Sequence, residues 1–174
     1  IILTGDLNNK GYYKQFVRAK ELLDLFEPPL FIIPGNHDAR NLGLETFEEL
    51  IGELSWKLSK DDEFVVIGLN SALSDLNEGA IGKPQQLWLD HQLDECVIND
   101  LFSIVTLHHH IIPIPKTGRE RNVLLDAGDI LKTLVDHEVD MVLVGHKHVA
   151  NVWRMNNTLI VNAGSIASKK LRGD

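Results

Sequence analysis

The sequence predicts an α/β fold built on a layered, mixed β-sheet. Short runs rich in β-branched residues alternate with amphipathic helical stretches along the 174 residues, which is the pattern of βαβ units. Hydrophobic residues make up 44% and charged residues 24% of the chain, as in an average globular domain. A chain of this length is therefore expected to form a single domain over residues 1–174.

Strands are predicted where short apolar runs are bounded by turn residues. Ser55–Leu58 closely precedes one of these runs, which predicts a hairpin and hence a sheet with antiparallel as well as parallel pairs. The predicted strands are Ile1–Thr4, Leu30–Ile33, Phe64–Leu69, Phe102–Leu107, Met141–Val144 and Thr158–Val161.

Helices are predicted between the strands from apolar residues at helical spacing. The first, Tyr13–Phe26, is expected to stop before Pro28 and Pro29 because proline cannot continue a helix. The others are Leu44–Ile51, a helix that begins near Pro84, and Gly128–His137. The stretch from Ile111 to Leu125 contains two prolines and a glycine and is long enough to be a functional loop.

Charge and cysteine content exclude several classes of function. The formal net charge of -8 and the absence of a dense Lys/Arg cluster weigh against nucleic acid as a partner. One cysteine, Cys96, can form neither an internal disulfide nor a thiolate zinc site, which indicates a cytoplasmic protein. No apolar run approaches the roughly 20 residues that span a bilayer, so no membrane association is expected. Both a monomer and a homodimer are compatible with the sequence.

The two ends of the chain read as the edges of a larger domain. Ile1–Thr4 has the pattern of a buried strand, and the chain does not begin with Met. At the other end, Ser168–Asp174 follows directly on a β-like segment. We therefore expect a domain truncated at its N-terminus, with the same interpretation open at the C-terminus.

Polar clusters follow four of the predicted strands. The carboxyl ends of strands in layered α/β folds form the ligand crevice, so the four clusters are expected to converge there. Glycine accompanies three of them and allows sharp turns. They are Gly5-Asp6, Gly35-Asn36-His37-Asp38, the His108-His109-His110 run and Gly145-His146-Lys147-His148.

The donor types in these clusters indicate a metal centre for hydrolysis. Imidazole nitrogens with carboxylate and amide oxygens, and without thiolates, suit manganese, iron or zinc. Two such cations about 3.5–4 Å apart can clamp a phosphate and lower the pKa of a shared water, but they need a bridging carboxylate. Asp6 is the natural bridge. Taken singly, Asp6 could cap a helix and Asn36 could form an Asx-turn.

The order GDL, GNHD, a histidine run after a strand, and GHKH resembles the calcineurin-like metallophosphoesterases over nearly the whole chain. Gly11-Tyr12-Tyr13 and Gln86-Leu87-Trp88-Leu89 further resemble the subgroup that contains cyclic-nucleotide phosphodiesterases. The resemblance implies a sandwich of mixed sheets flanked by helices, with the first strand missing. It also implies a metal-dependent phosphoesterase, more specifically a phosphodiesterase, that uses hydroxide activated by two divalent ions.

Family roles transfer to matching positions. By resemblance, Asp6 bridges the ions, His148 binds the first ion, and three ligands complete the second. His37 assists the leaving group and Asp38 orients it through a hydrogen bond. The family's Asp-x-His, which supplies two ligands of the first ion, is absent ahead of Ile1, so the first site is expected to be incomplete in this chain. The second-ion ligands are Asn36, His108 and His146.

Several assignments stay open in the sequence. Neighbours on a strand face opposite sides, so the run offers His108 as the ligand with His109 as the alternative. His109, His110, Arg119 and Arg121 are candidates for substrate contact, although His110 could equally pack on the adjacent proline loop. The expected substrate is a small phosphoester such as a cyclic nucleotide, and a monoester is also possible. A non-catalytic scaffold and a metal-dependent DNA nuclease are the alternative functions.

Overall fold

The computed structural model describes residues 1–60, 63–115, 117 and 122–165. No helix within these ranges is long and apolar enough to cross a membrane. The strands are β1 (Ile2–Leu3), β2 (Phe31–Ile32), β3 (Trp56–Lys60), β4 (Phe64–Gly68), β5 (Phe102–Leu107), β6 (Met141–Val144), β7 (Asn151–Met155) and β8 (Thr158–Asn162). The helices are α1 (Tyr13–Leu23), α2 (Gly43–Leu50), α3 (Lys83–Ile98) and α4 (Ala127–Asp136).

The main sheet is mixed, as the sequence predicts. Its six strands lie in the order β3-β4-β5-β6-β8-β7. Strands β4, β5, β6 and β8 pair in parallel, whereas β3 and β7 pair antiparallel at the two edges. The parallel centre therefore brings the carboxyl ends of β4, β5, β6 and β8 to one edge of the sheet.

One face of the main sheet carries the larger hydrophobic core. Alternate residues of β4 and β5 point to this face, where they pack with α3 and α4. Leu89 and Leu93 of α3 and Ile130 and Leu134 of α4 are fully or almost fully buried there. Burial of each such side chain contributes about 1.5–3 kcal/mol, so this layer fixes the sheet on which the polar loops are mounted.

A two-stranded sheet of β1 and β2 lies against the main sheet. The Trp56 ring on β3 packs against Phe31 of β2 with 5.6 Å between centroids, and its indole N–H donates to the Ile32 carbonyl at 2.8 Å. Gly68 leaves room for the indole, since a Cβ there would lie 2.4 Å from the Trp56 ring. The small sheet is thus held so that its carboxyl ends lie near those of the main sheet.

The observed elements begin and end within two residues of the predicted ones, apart from two larger differences. Helix α1 ends at Leu23, three residues before the predicted end, and Phe26 is exposed. Strand β7 was not predicted. It is an edge strand whose half-buried residues alternate with exposed ones, and it joins β8 through a turn in which Asn156 adopts a left-handed φ of 52°.

Candidate metal centre and active site

The strand ends bring four polar side chains together. Oδ1 of Asn36 lies 3.2 Å from Nε2 of His108 and 3.0 Å from Nδ1 of His146, and the two ring nitrogens are 3.2 Å apart. Oδ1 of Asp6 lies 3.5 Å from Nε2 of His108. Asn36 and His146 alone are 110 positions apart in sequence, so the meeting of these residues is a product of the fold.

Tight backbone packing makes this approach possible. A Cβ on Gly35 would lie 2.2 Å from Oδ1 of Asp6 and 2.8 Å from the His108 ring, so only glycine fits there. Asp6 and His146 themselves adopt left-handed φ values of 60° and 77°. Non-glycine residues rarely take this conformation, and it recurs at functional sites. The backbone strain therefore lies at Asp6 and His146, two of the residues that supply polar atoms to the cluster.

The protonation of His108 follows from its surroundings. Its ring is 1% exposed, and Nδ1 lies 2.6 Å from the Thr4 carbonyl. A carbonyl can only accept, so Nδ1 carries the proton and donates it. In the neutral ring Nε2 then presents a lone pair to Asn36, Asp6 and His146. A second group fixing the far nitrogen of a histidine is the usual arrangement for a metal ligand.

His146 is held neutral in the same cluster. Burial, reinforced by the neighbouring His108, lowers the pKa of His146 well below its ordinary value. Its Nε2 is buried and has no hydrogen-bond partner within the described part of the chain. A neutral imidazole is the form that binds a metal ion.

The donor set fits one divalent cation. Neighbouring ligand atoms about 2.0–2.2 Å from a common ion are about 3–3.5 Å apart. The three separations among Asn36, His108 and His146 lie in that range, as does the distance of 3.5 Å from Oδ1 of Asp6 to Nε2 of His108. No group of three His, Cys, Asp or Glu side chains in the described ranges could hold an ion by itself, so the amide of Asn36 is essential to this interpretation.

The remaining predicted ligand is His148. His148 is half-buried with a left-handed φ of 57°, and no hydrogen bond or ion pair found among the described residues connects it to Asp6. Arg119 and Arg121, predicted to contact substrate, lie outside the described residues. Their assignments stay predictions.

The predicted hydrogen bond between Asp38 and His37 is wrong. The Asp38 carboxylate accepts N–H groups of Gly35, Leu7 and Asn8 at 2.9–3.1 Å and the Asn8 side-chain amide at 3.0 Å. Burial raises the pKa of Asp38 to about 6, against the lowering effect of these donors. Asp38 therefore ties the loop after β1 to the loop after β2. Short hydrogen bonds from these N–H groups occupy the Asp38 carboxylate in place of the His37 ring.

His37 lies at the open side of the cluster. Its backbone N–H donates to Oδ1 of Asp6 at 3.0 Å, and its ring Nδ1 donates to the Asn9 carbonyl at 3.0 Å. The side chain is half-buried. The ring orientation predicted to come from Asp38 comes instead from the Asn9 main chain.

His109 packs against the His146 ring, with 4.7 Å between the ring centroids, and supports a neighbouring loop. Oγ of Ser71 accepts the backbone N–H groups of His108 and His109 at 3.2 Å, so its own proton is donated to Nδ1 of His109 at 2.9 Å. Nε2–H of His109 then donates to the Asn77 carbonyl at 3.3 Å. Burial lowers the pKa of His109 to about 3. With both nitrogens engaged, the geometry favours a structural role over substrate contact.

His110 supports the turn that carries His146. Its Nε2–H donates to the Gly145 carbonyl at 3.0 Å, and the buried Asn162 amide donates to the same oxygen at 3.4 Å. Burial lowers the pKa of His110 to about 4, and its Nδ1 has no partner among the described residues. The sequence left two environments open for the His110 side chain, the substrate pocket and the proline loop, and this contact matches neither.

Sequence reasoning missed Ser71 and Asn77. A signal for Ser71 exists, because Asn70-Ser71 follow β4 at the same sheet edge as the four recognised clusters. Asn77 has no comparable signal. It lies on the irregular loop between β4 and α3, and only the folded structure shows that this loop returns to the cluster.

Known proteins agree with this architecture. The chain is 27% identical to a probable cyclic nucleotide phosphodiesterase of Vesicomyosocius okutanii, covering 96% of the chain and 70% of the relative. It is 29% identical to a probable glycerophosphodiester phosphodiesterase of Arcobacter nitrofigilis, covering 95% of the chain and 62% of the relative. A dimetal phosphatase from Danio rerio has a similar fold, with a TM-score of 0.75 at 14% identity over 94% of this chain and 71% of that one.

The chain thus spans between 62% and 70% of the length of these two curated relatives. A comparison with family models finds the same family that the order of the four strand-end motifs predicts. The calcineurin-like phosphoesterase model matches residues 1–150, and the chain therefore belongs to that family.

Proposed function

We propose that this chain forms most of a metal-dependent phosphodiesterase whose site is the cluster at the strand ends. The observation that carries the proposal is the mutual approach of Nε2 of His108, Oδ1 of Asn36 and Nδ1 of His146 to within 3.0–3.2 Å of one another. Family membership and the phosphodiesterase names of the two relatives support the reaction class.

The proposed ligands of one ion are Asn36, His108 and His146, with Asp6 as the bridge to a second ion that His148 would help to hold. Manganese, iron and zinc suit these nitrogen and oxygen donors. When bound, such ions neutralise the phosphoryl oxygens and lower the pKa of a water that attacks phosphorus. The chain's own contribution is to hold the donor atoms in place.

His37 is the proposed catalytic acid. Its Nδ1–H donates to the Asn9 carbonyl, and this hydrogen bond fixes the ring so that Nε2 is left for contact with the substrate. Nε2–H can then donate to a phosphoryl oxygen or to the departing alkoxide. Asp38 acts as a positioning residue, because it fixes the two loops that carry His37 and Asp6.

A small phosphodiester is the proposed substrate, with cyclic nucleotides and glycerophosphodiesters as the first to test. The net charge of -8 disfavours a long polyanion, which weighs against the nuclease alternative. A non-catalytic scaffold is the other alternative, and it predicts no turnover with any substrate.

The test compares hydrolysis of 3′,5′-cyclic AMP, glycerophosphocholine and bis(p-nitrophenyl) phosphate by the full-length protein with Mn²⁺. His37→Ala is expected to reduce turnover by about 100- to 10,000-fold while Mn²⁺ binding is retained, and His91→Ala on the exposed face of α3 serves as control. Failure of all three substrates would reject the hydrolase. Unchanged turnover in His37→Ala would reject the role of that residue alone.

A further inference from the structure

Asn36 must present its oxygen, and not its nitrogen, to the histidines of the candidate metal centre. An asparagine side chain has an oxygen acceptor at one end and an NH₂ donor at the other, and a rotation of 180° exchanges them. In this structure Oδ1 faces His108 and His146. Nδ2 points the opposite way and donates to Oδ1 of Asn77 at 3.3 Å.

Asn77 is suited to select this orientation. Its Oδ1 accepts hydrogen bonds from Nδ2 of Asn36 and from Nη2 of Arg40, the latter at 2.9 Å. The Arg40 guanidinium can only donate, so it forces Oδ1 of Asn77 toward this side. An oxygen at that position attracts the NH₂ end of Asn36 and repels its carbonyl end.

The main chain of Asn77 is anchored independently of its side chain. The Asn77 carbonyl accepts Nε2–H of His109, and Gly79 packs so closely on the His109 ring that a Cβ there would lie 2.3 Å from Nδ1. Asp75, in the same loop, accepts the Asn41 N–H at 2.8 Å and donates its own N–H to the Ala39 carbonyl at 3.2 Å. The loop is thus fixed on both sides of Asn77.

From these contacts we infer that Asn77 is a positioning residue for the metal centre: through its side-chain oxygen it holds the Asn36 amide with the carbonyl toward the bound ion. The inference rests on the proposed function, since it concerns one ligand of the proposed ion. It assigns a task to the loop between β4 and α3, which none of the strand-end motifs includes. Outer groups that orient a ligand typically change metal affinity by about 10- to 100-fold when removed.

The experiment titrates Mn²⁺ into the metal-free chain by calorimetry and measures urea unfolding without metal. Asn77→Leu keeps a similar volume but removes the acceptor, and it is expected to weaken Mn²⁺ binding by roughly 10- to 100-fold. Asn77→Asp retains an oxygen for Asn36 and Arg40 and is expected to restore binding. Because the Asn77 side chain is exposed, both variants are expected to fold.

Asp75→Ala is the matched control. It removes a side-chain anchor from the same loop but leaves the Asn36–Asn77 contact in place, so it should change unfolding without weakening Mn²⁺ binding beyond about twofold. Equal binding by the wild-type chain and Asn77→Leu would overturn the inference. So would equal losses in Asn77→Leu and Asp75→Ala, because loop stability would then explain both. No Mn²⁺ binding by the wild-type chain would reject the proposed metal site itself, and this inference with it.

Discussion

Acidification should destabilise the metal-free chain through buried neutral histidines, and His110 offers the clearest test. Its side chain is 0% exposed, and burial lowers its pKa from 6.5 to about 4. In the unfolded chain the ring takes up a proton near pH 6.5. Between these values the unfolded state binds more protons, so stability is present above pH 6.5 and is lost as the pH falls toward 4.

The magnitude follows from the difference between the folded and unfolded pKa values. A tenfold change in proton affinity corresponds to about 1.4 kcal/mol, so His110 alone should cost about 2 kcal/mol between pH 7.5 and pH 5. His110→Gln retains an N–H that can reach the Gly145 carbonyl but cannot titrate. The variant should therefore lose about 2 kcal/mol less than the wild-type chain over the same interval.

Urea unfolding in EDTA at pH 7.5, 6 and 5 measures this difference. His91→Gln removes a histidine whose side chain is 71% exposed, and it should follow the wild-type pH dependence. If His110→Gln lost as much stability on acidification as the wild-type chain, the buried neutral state assigned to His110 would be refuted.

Two further substitutions test the packing that positions the cluster. Gly35→Ala places a methyl group 2.2 Å from Oδ1 of Asp6 and should lower the free energy of urea unfolding by about 1–3 kcal/mol. The control Gly128→Ala, whose methyl group meets nothing within 4 Å in α4, should instead raise it by about 0.5–1 kcal/mol. Equal effects of the two substitutions would contradict the tight approach at Gly35. Trp56→Phe removes the hydrogen bond to the Ile32 carbonyl between the two sheets and should lower the free energy of unfolding by about 1–3 kcal/mol. A free energy of unfolding that is unchanged within error would show that the two sheets do not need this hydrogen bond.

Central strands were the best-predicted elements. Strands β5 and β6 have the predicted limits, because buried parallel strands are continuous apolar runs with clear polar ends. The edge strand β7 was missed, since half of its residues face solvent and give a weak pattern. Helix α1 was predicted too long. Leu25 and Phe26 extend its apolar periodicity, yet both are exposed after the helix ends.

The convergence of the candidate site could be predicted, but its hydrogen bonds could not. Strand-end placement was enough to bring Asp6, Asn36, His108 and His146 together. Sequence adjacency suggested a bond between Asp38 and His37, whereas the folded loops offer Asp38 four closer N–H donors. Three of these four donors belong to Leu7 and Asn8, 30 or 31 positions away, so no local pattern encodes them.

The central claim is that one divalent ion is bound by Asn36, His108 and His146. Anomalous scattering at the manganese edge from crystals grown with Mn²⁺ tests it most directly. We expect a peak about 2.0–2.3 Å from Oδ1 of Asn36, Nε2 of His108 and Nδ1 of His146. A map with no anomalous peak among these three atoms, at a Mn²⁺ concentration that supports catalysis, would contradict it.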